Sequence, residues 1–294
     1  MELLTVFTPV YNRKHTITRT YKSLKRQTSK NFLWLVIDDG STDGTGELVK
    51  KWVSQESDFL IQYVYKENGG LHTGYNKAIE LAQTELMVCI DSDDYMPDNA
   101  VELIETIWKN GKANNIAGII GLDQTVSGQI IGNRMPEQQT INLADVAVGL
   151  IDVHGDKKQV VRTDLYKSVA PMPTFEGEKN FNPYYMILQI AINYDFLVTN
   201  EVLCIVEYQE NGMAANIWKQ FYNSPNSFAE RRKLFMSLPK SSFRFKFKEA
   251  IHYVSSCLIA RRSHIVCDSP AQLETVLALP FGLVLSLITR IKNK

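Results

Sequence analysis

The chain has 294 residues, 45% of them hydrophobic, enough to bury one substantial domain with an appendage. Thirty-two Lys and Arg balance 32 Asp and Glu, so no global charge directs the protein to nucleic acid or to strongly acidic partners. The cysteines Cys89, Cys204, Cys257 and Cys267 include no close-spaced pair of the kind that binds zinc or frames a disulfide scaffold.

Leu3–Thr8 is a β-rich apolar run stopped by Pro9 and the polar Asn12 and Arg13. The spacing of Ile17, Thr20, Tyr21 and Leu24 predicts a helix over 16–26, and Phe32–Ile37 a second strand ending in Asp38-Asp39-Gly40-Ser41. A helix over 47–53, a strand over 61–65, a helix over 73–82 and a strand over 86–90 follow. This βαβαβαβ order predicts a mostly parallel sheet with helices on both faces, in which ligands bind beyond the carboxyl ends of the strands. Three such ends carry polar clusters: Thr8–Arg13, Asp38–Ser41 and Asp91–Asp94.

In the last cluster an apolar strand ends in Asp91, Asp93 and Asp94, three carboxylates within four residues, with Pro97 marking a helix just beyond. Like charges at the mouth of a buried strand repel and lose hydration, and a hard divalent cation with oxygen ligands relieves both costs. The simpler alternative is an acidic turn in which Asp93 or Asp94 caps the helix. Further upstream, Lys66–Lys77 is a glycine-spaced loop entering a helix, where backbone N–H groups are able to approach an anion.

Thr8-Pro9-Val10-Tyr11-Asn12-Arg13, Val36–Asp43, Asn68-Gly69-Gly70 and Ile90-Asp91-Ser92-Asp93-Asp94 together resemble the ordered motifs of family 2 glycosyltransferases, over residues 3 to about 100. The resemblance implies the GT-A fold, a Rossmann-like α/β architecture with a mostly parallel central sheet and flanking helices. It also implies sugar transfer from a nucleotide-sugar, usually with inversion, of hexosyl or N-acetylhexosaminyl type. Carried over, Thr8, Pro9 and Tyr11 shape the base pocket and Asp39 accepts a hydrogen bond from a uracil-type ring N–H. Asn68, Gly70, His72, Asn76, Lys77, Asp91 and Ser92 contact the nucleotide-sugar. Asp93 binds Mn²⁺ or Mg²⁺ at the diphosphate, with Asp94 a second candidate ligand. Asp38 reads as a structural carboxylate that ties down its turn.

A strand over 118–121 and turn-rich sequence over 123–137 follow. His154-Gly155-Asp156-Lys157-Lys158 and then Pro171–Glu178 resemble a bacterial polysaccharide-type subset of the family. Lys157 and Lys158 either contact a phosphorylated acceptor or solvate a loop. Inverting transfer needs a carboxylate base. The family places an acidic pair before a helix here, whereas this chain has Asn182-Pro183-Tyr184. Glu178 is the candidate base, against the alternative of an ion pair with Lys179; Glu176 and Asp156 are further candidates. Glu207–Met213 is expected to form a loop over the site.

After Ile217 the chain turns helical over 228–238, 243–262 and 273–291, and from Lys240 onward nine Lys and Arg face three Asp and Glu. An interfacial helix would bury apolar residues in lipid and hold these charges at anionic headgroups; packing on protein is the alternative. No window reaches the roughly 18 unbroken apolar residues of a spanning helix, and Met1–Val10 does not read as a signal peptide. The expected organisation is a GT-A domain over 1–215, with a nucleotide-binding half (1–100) and an acceptor half (101–215), and a basic amphipathic helical extension over 216–294. The expected function is metal-dependent inverting transfer from a nucleotide-sugar, most simply a UDP-sugar. The acceptor is a glycan or polyprenyl-diphosphate-linked sugar in polysaccharide biosynthesis, and the protein is cytoplasmic or peripheral at the inner membrane face. The alternative is a catalytically reduced, sugar-nucleotide-binding subunit. A signalling receiver domain would not account for Asn68-Gly69-Gly70, and a nucleotidyltransferase would want glycines within Thr8–Arg13.

Overall fold

A computed structural model describes residues 2–207 and 217–293. Eight strands form one sheet: β1 (Leu4–Val10), β2 (Phe32–Asp38), β3 (Leu60–Tyr65), β4 (Leu86–Cys89), β5 (Ile116–Thr125), β6 (Thr140–Ile141), β7 (Lys157–Arg162) and β8 (Asp195–Val206). Their order is β3-β2-β1-β4-β7-β5-β8-β6. The first four strands are parallel, as the alternating pattern predicts, while β7 runs antiparallel to both β4 and β5. β1 and β2 are buried along their whole length, which is why they read as continuous apolar runs rather than alternating ones.

The helices joining these strands are α1 (Ile17–Lys25), α2 (Thr45–Gln55), α3 (Leu71–Leu81) and α4 (Ala100–Gly111). Helix α1 turns Ile17, Thr20 and Leu24 inward, the face expected from their spacing. Tyr21 stacks on Trp52 of α2 at 4.3 Å between ring centroids, and Trp34 of β2 lies 6.0 Å from Trp52. This aromatic packing clamps both helices to the sheet. Gly44 and Gly70, with φ of 87° and 93°, let the chain turn directly into α2 and α3, where a side chain would be strained.

The remaining helices are α5 (Leu143–Ala147), α6 (Thr163–Val169), α7 (Tyr184–Ala191), α8 (Ile217–Asn223), α9 (Pro225–Ser237), α10 (Phe243–Ile259) and α11 (Gln272–Lys292). The chain divides into two compact units, at places other than the expected boundary at 215/216. One comprises Met1–Asn142, Asp152–Pro171 and Asn193–Tyr208; the other Leu143–Ile151, Met172–Ile192 and Gln209–Lys294. Two excursions from the first unit, carrying α5 and α7, thus cluster with the C-terminal helices. The core of the second unit gathers Ala229, Met236, Ala250, Tyr253, Val254, Cys257, Ala271 and Ala278. All four cysteines are free thiols.

Candidate active site

In the first unit β1 lies between β2 and β4, so the loops after these three strands share one edge of the sheet. The chain runs outward through β1, β2 and β3 and then places β4 on the other side of β1. That reversal is the switch point at which open α/β sheets bind ligands.

The loops after β1 and β2 are stitched together. Asn12, at φ 54°, donates its backbone N–H to Ser41 Oγ (2.9 Å), and its Oδ1 accepts from the Thr42 N–H (2.8 Å). Arg13 N–H donates to Thr45 Oγ1 and Lys14 N–H to Asp43 Oδ2, both at 3.0 Å. Buried Asp38 accepts from the Ser41 N–H (2.8 Å) and the Tyr63 hydroxyl (2.7 Å), which makes it the brace of its turn.

Asp39 is equally engaged. Its Oδ1 accepts from the Gly69 N–H (2.9 Å) and Lys66 Nζ, and its Oδ2 from the Gly70 N–H (2.8 Å) and Asn68 Nδ2 (3.2 Å). Four donors fill the four lone-pair directions of a carboxylate. A base N–H, the contact expected of Asp39, would compete with these donors. Asp39 builds the Asn68-Gly69-Gly70 loop, and a ligand donor would first have to displace Lys66 or Asn68.

Other expected contacts also turn inward. Thr8 is fully buried, and its Oγ1 accepts from Trp34 Nε1 (2.9 Å), so its side chain serves the core. Pro9 is buried against α3, where a Cβ on Gly74 would lie 3.2 Å from Pro9 Cβ. His72 is buried at the start of α3, and Lys77 pairs with Glu80 one turn on (2.9 Å). Tyr11 stands about half exposed just beyond the end of β1. Asn68 donates Nδ2 to the Asp39 carbonyl (2.8 Å), and Asn76 is half-buried on α3.

The acidic run after β4 behaves differently. Asp91 is exposed, Ser92 is buried and Asp93 is half-buried. Burial and the neighbouring Asp91 charge push the Asp93 carboxyl above its ordinary pKa, with Arg13 and His15 opposing from a distance. Among the described residues no cation forms an ion pair with Asp91 or Asp93. Asp94 faces inward instead: its Oδ1 accepts from the Glu207 N–H (3.2 Å), tying the turn to the end of β8. Burial pushes Asp94 up to about 8, and Asp91, Asp93 and Asp123 add to the rise while Lys158 opposes it. Asp94 thus spends one of its carboxylate oxygens on the Glu207 N–H.

Lys158 lies on β7. It is nearly buried, 4.0 Å from Asp123 on β5. Burial opposes its charge, yet Asp123, Cys204, Asp91 and Asp94 together hold its pKa well above the usual range. It is a built-in cation beside the acidic turn rather than a solvated loop residue. Asp123, buried and pushed up to about 6, has an Oδ1 with no hydrogen-bond partner among the described residues. Lys157 donates to the carbonyls of Ile131 (2.8 Å) and His154 (2.7 Å) and so pins the preceding loop. The available signal was a pair of lysines opening the strand that ends Val160-Val161, but nothing local shows which neighbours that strand acquires.

Glu178 belongs to the second unit, where it is buried. Its Oε1 accepts from the backbone and side-chain N–H groups of Asn226 (2.8 and 2.9 Å), and its Oε2 from the N–H and Oγ of Ser227 (2.8 and 2.7 Å). It caps the first turn of α9, with no lone pair left for a proton. The expected base, Glu178, is thus engaged as a cap in this structure. Most of the loop expected over the site, 208–213, lies outside the described residues.

Asp91 and Asp93 offer oxygen donors that no ion pair among the described residues occupies, which fits a hard divalent cation. Among the described residues no group of three or more His, Cys, Asp or Glu is arranged to hold a metal. Two carboxylates supply only part of a shell of six or more oxygens, so the remainder would come from a bound anion and water.

This fold is that of GT-A glycosyltransferases, and it is shared with solved structures. Staphylococcus aureus TarS (residues 1–349), in complex with UDP-GlcNAc, matches with a TM-score of 0.62 at 16% identity, over 98% of this chain and 89% of that one. The mannosyltransferase PcManGT of Pyrobaculum calidifontis, in complex with GDP-Man and Mn²⁺, matches with a TM-score of 0.55 at 18% identity, over 97% and 86%. The family model for glycosyl transferase family 2 matches residues 5–166, and the chain belongs to that family: it is a glycosyltransferase. TuaG, a glycosyltransferase assigned to teichuronic acid biosynthesis in Bacillus subtilis (strain 168), is 27% identical over 225 residues, 74% of this chain and 83% of TuaG. GlyG of Streptococcus pneumoniae serotype 4 is 30% identical over 121 residues, 41% of this chain and 38% of that protein.

Proposed function

We propose that this glycosyltransferase takes a nucleotide-sugar, most simply a UDP-sugar, and extends a glycan or lipid-linked acceptor in bacterial polysaccharide biosynthesis, with inversion and with Mn²⁺ or Mg²⁺. The observation that carries the reading is the pair Asp91 and Asp93 at the switch point, held in no ion pair among the described residues, beside a loop built on Asp39. TarS, of the same fold, is seen in complex with UDP-GlcNAc, and TuaG is assigned to teichuronic acid biosynthesis. A divalent cation bound there would offset charge gathering on the departing diphosphate. Asp93 and Asp91 would hold it, Lys158 would temper their repulsion, and Tyr11 would flank the base.

A second reading is favoured by one observation. Glu178 is engaged as a helix cap, and Asn182-Pro183-Tyr184 supplies no carboxylate at the start of α7. A chain that binds donor yet transfers slowly fits that arrangement. Calorimetric titration with UDP and GDP, with and without Mn²⁺, tests the first half. Metal-dependent UDP binding that is lost in Asp93→Ala supports the donor site, and no binding to either nucleotide refutes it. Binding without transfer or donor hydrolysis selects the second reading.

A further inference from the structure

Helix α11 is built the wrong way round for a soluble protein. Its buried positions are Thr275, Ala278, Gly282, Ser286 and Thr289, all small. Leu273, Val276, Leu277, Leu279, Phe281, Leu283, Val284, Leu287, Ile288 and Ile291 are large apolar residues that are each 38% to 71% exposed, and Leu285 is half-buried. At 100° per residue the two sets occupy opposite faces. The small face packs on α10, where a Cβ on Gly282 would lie 2.5 Å from Val254 Cβ. Its hydroxyls are satisfied locally: Ser286 Oγ donates to the Leu283 carbonyl (2.8 Å) and Thr289 Oγ1 to that of Leu285 (2.9 Å).

The apolar face continues onto α10. Phe281 meets Phe247 edge to face at 5.8 Å, and Phe247 stacks with half-exposed Phe243 at 6.2 Å. Exposed apolar side chains gathered on one face in this number mark an interaction site rather than scattered surface residues. Its borders are basic. Arg244 and Lys248 are exposed beside Phe243 and Phe247, and Arg290 and Lys292 are exposed at the end of α11. Lys292 Nζ lies 4.2 Å from the centroid of the Trp218 ring, and Asn293 Nδ2 donates to the Trp218 carbonyl (3.1 Å). Along α11 itself Glu274 is the only acid.

We infer that the outward face of α11, extended by Phe243 and Phe247, is a membrane-binding surface that lies in the interface of an anionic bilayer. Apolar side chains would enter the acyl boundary while Arg244, Lys248, Arg290 and Lys292 meet headgroup phosphates and Trp218 sits at headgroup depth. The helix is long and apolar enough to cross a bilayer by length and composition. However, a helix with one face closed on α10 presents lipid with a stripe, as interfacial helices do, and not with an all-round apolar surface. A second copy of this chain would bring the same basic border against itself, which is why lipid is the better occupant. The inference deepens the acceptor half of the proposed function and rests on that reading only for its purpose, since vesicle binding is measured without donor or acceptor.

Flotation of the full chain with vesicles of phosphatidylcholine, with and without phosphatidylglycerol, tests it. The chain is expected to float with the anionic vesicles, less so at high salt. The Val284→Glu and Leu287→Glu variants, both on the exposed face, should lower binding at least about tenfold with unchanged melting and unchanged nucleotide titration. Arg244→Ala with Lys248→Ala should weaken only the preference for anionic lipid. A full chain that stays unfloated at low salt overturns the inference. So does a dimer in sedimentation that Leu287→Glu converts to monomer, because the face would then belong to a second copy. Loss of nucleotide binding in the unmodified chain would overturn the donor reading and leave the vesicle result standing.

Discussion

Two acidic turns end the strands on either side of β1, and they are used in opposite ways. After β2, both oxygens of Asp38 and of Asp39 accept hydrogen bonds from the protein. After β4, Asp91 and Asp93 have no ion-pair partner among the described residues, and Asp93 is pushed above the ordinary carboxylate range. A buried acid whose lone pairs are filled shapes the backbone around it. A half-buried acid left beside another acid is a cost that a ligand relieves. The same contrast separates Asp93 from Glu178, a buried acid fully taken up in capping α9.

Breaking the unsatisfied turn should have the largest effect. Asp93→Ala is expected to lower metal-dependent donor turnover by about 10²–10³-fold, with the melting temperature unchanged or raised. Full turnover in that variant would remove the cation from Asp93. At the satisfied turn, Asp39→Ala should instead cost stability, about 2–4 kcal/mol in denaturant unfolding, because two loop N–H groups and Lys66 lose their acceptor. Nucleotide affinity should fall with it, and Asp39→Asn should recover part of both.

Glu178→Ala should destabilise by about 2 kcal/mol through the lost cap. Among folded molecules of Glu178→Gln, transfer should be unchanged, as the amide cannot replace a base but still accepts through its oxygen. Loss of transfer with normal stability would restore Glu178 to the chemistry. The smallest effect is a pH dependence in the second unit. Burial, then the neighbouring Arg232, lowers His252 from 6.5 to about 4. The unfolded chain therefore binds a proton the folded chain refuses. Stability present above pH 6.5 should decline as pH falls toward about 4, and His252→Gln should flatten that slope in acid unfolding curves.

Much of this was legible in one dimension. The apolar runs at Leu4–Val10, Phe32–Asp38 and Leu86–Cys89 and the helices between them follow from local periodicity, and β-α alternation implies their parallel order. Asp91–Asp94 was visible because three acids at a strand end are costly wherever the strand lies. The partners of each acid were not visible. Whether Asp39 is free or filled depends on the Asn68-Gly69-Gly70 loop, about thirty positions away in the chain, folding back on it. Glu178 meets Ser227 across 49 positions, and Lys158 reaches Asp123 only because β7 enters antiparallel between β4 and β5.

By itself, then, the sequence determined the strand–helix order, the edge at which polar loops collect and the family to which the chain belongs. These depend on side-chain period and on short contiguous motifs. Tertiary structure alone decided which carboxylates are filled, that a lysine sits beside the acidic turn, and that α11 turns its small residues inward and its large ones out. Each of those outcomes rests on hydrogen bonds and packing between segments far apart in the chain, and no local pattern encodes such partners.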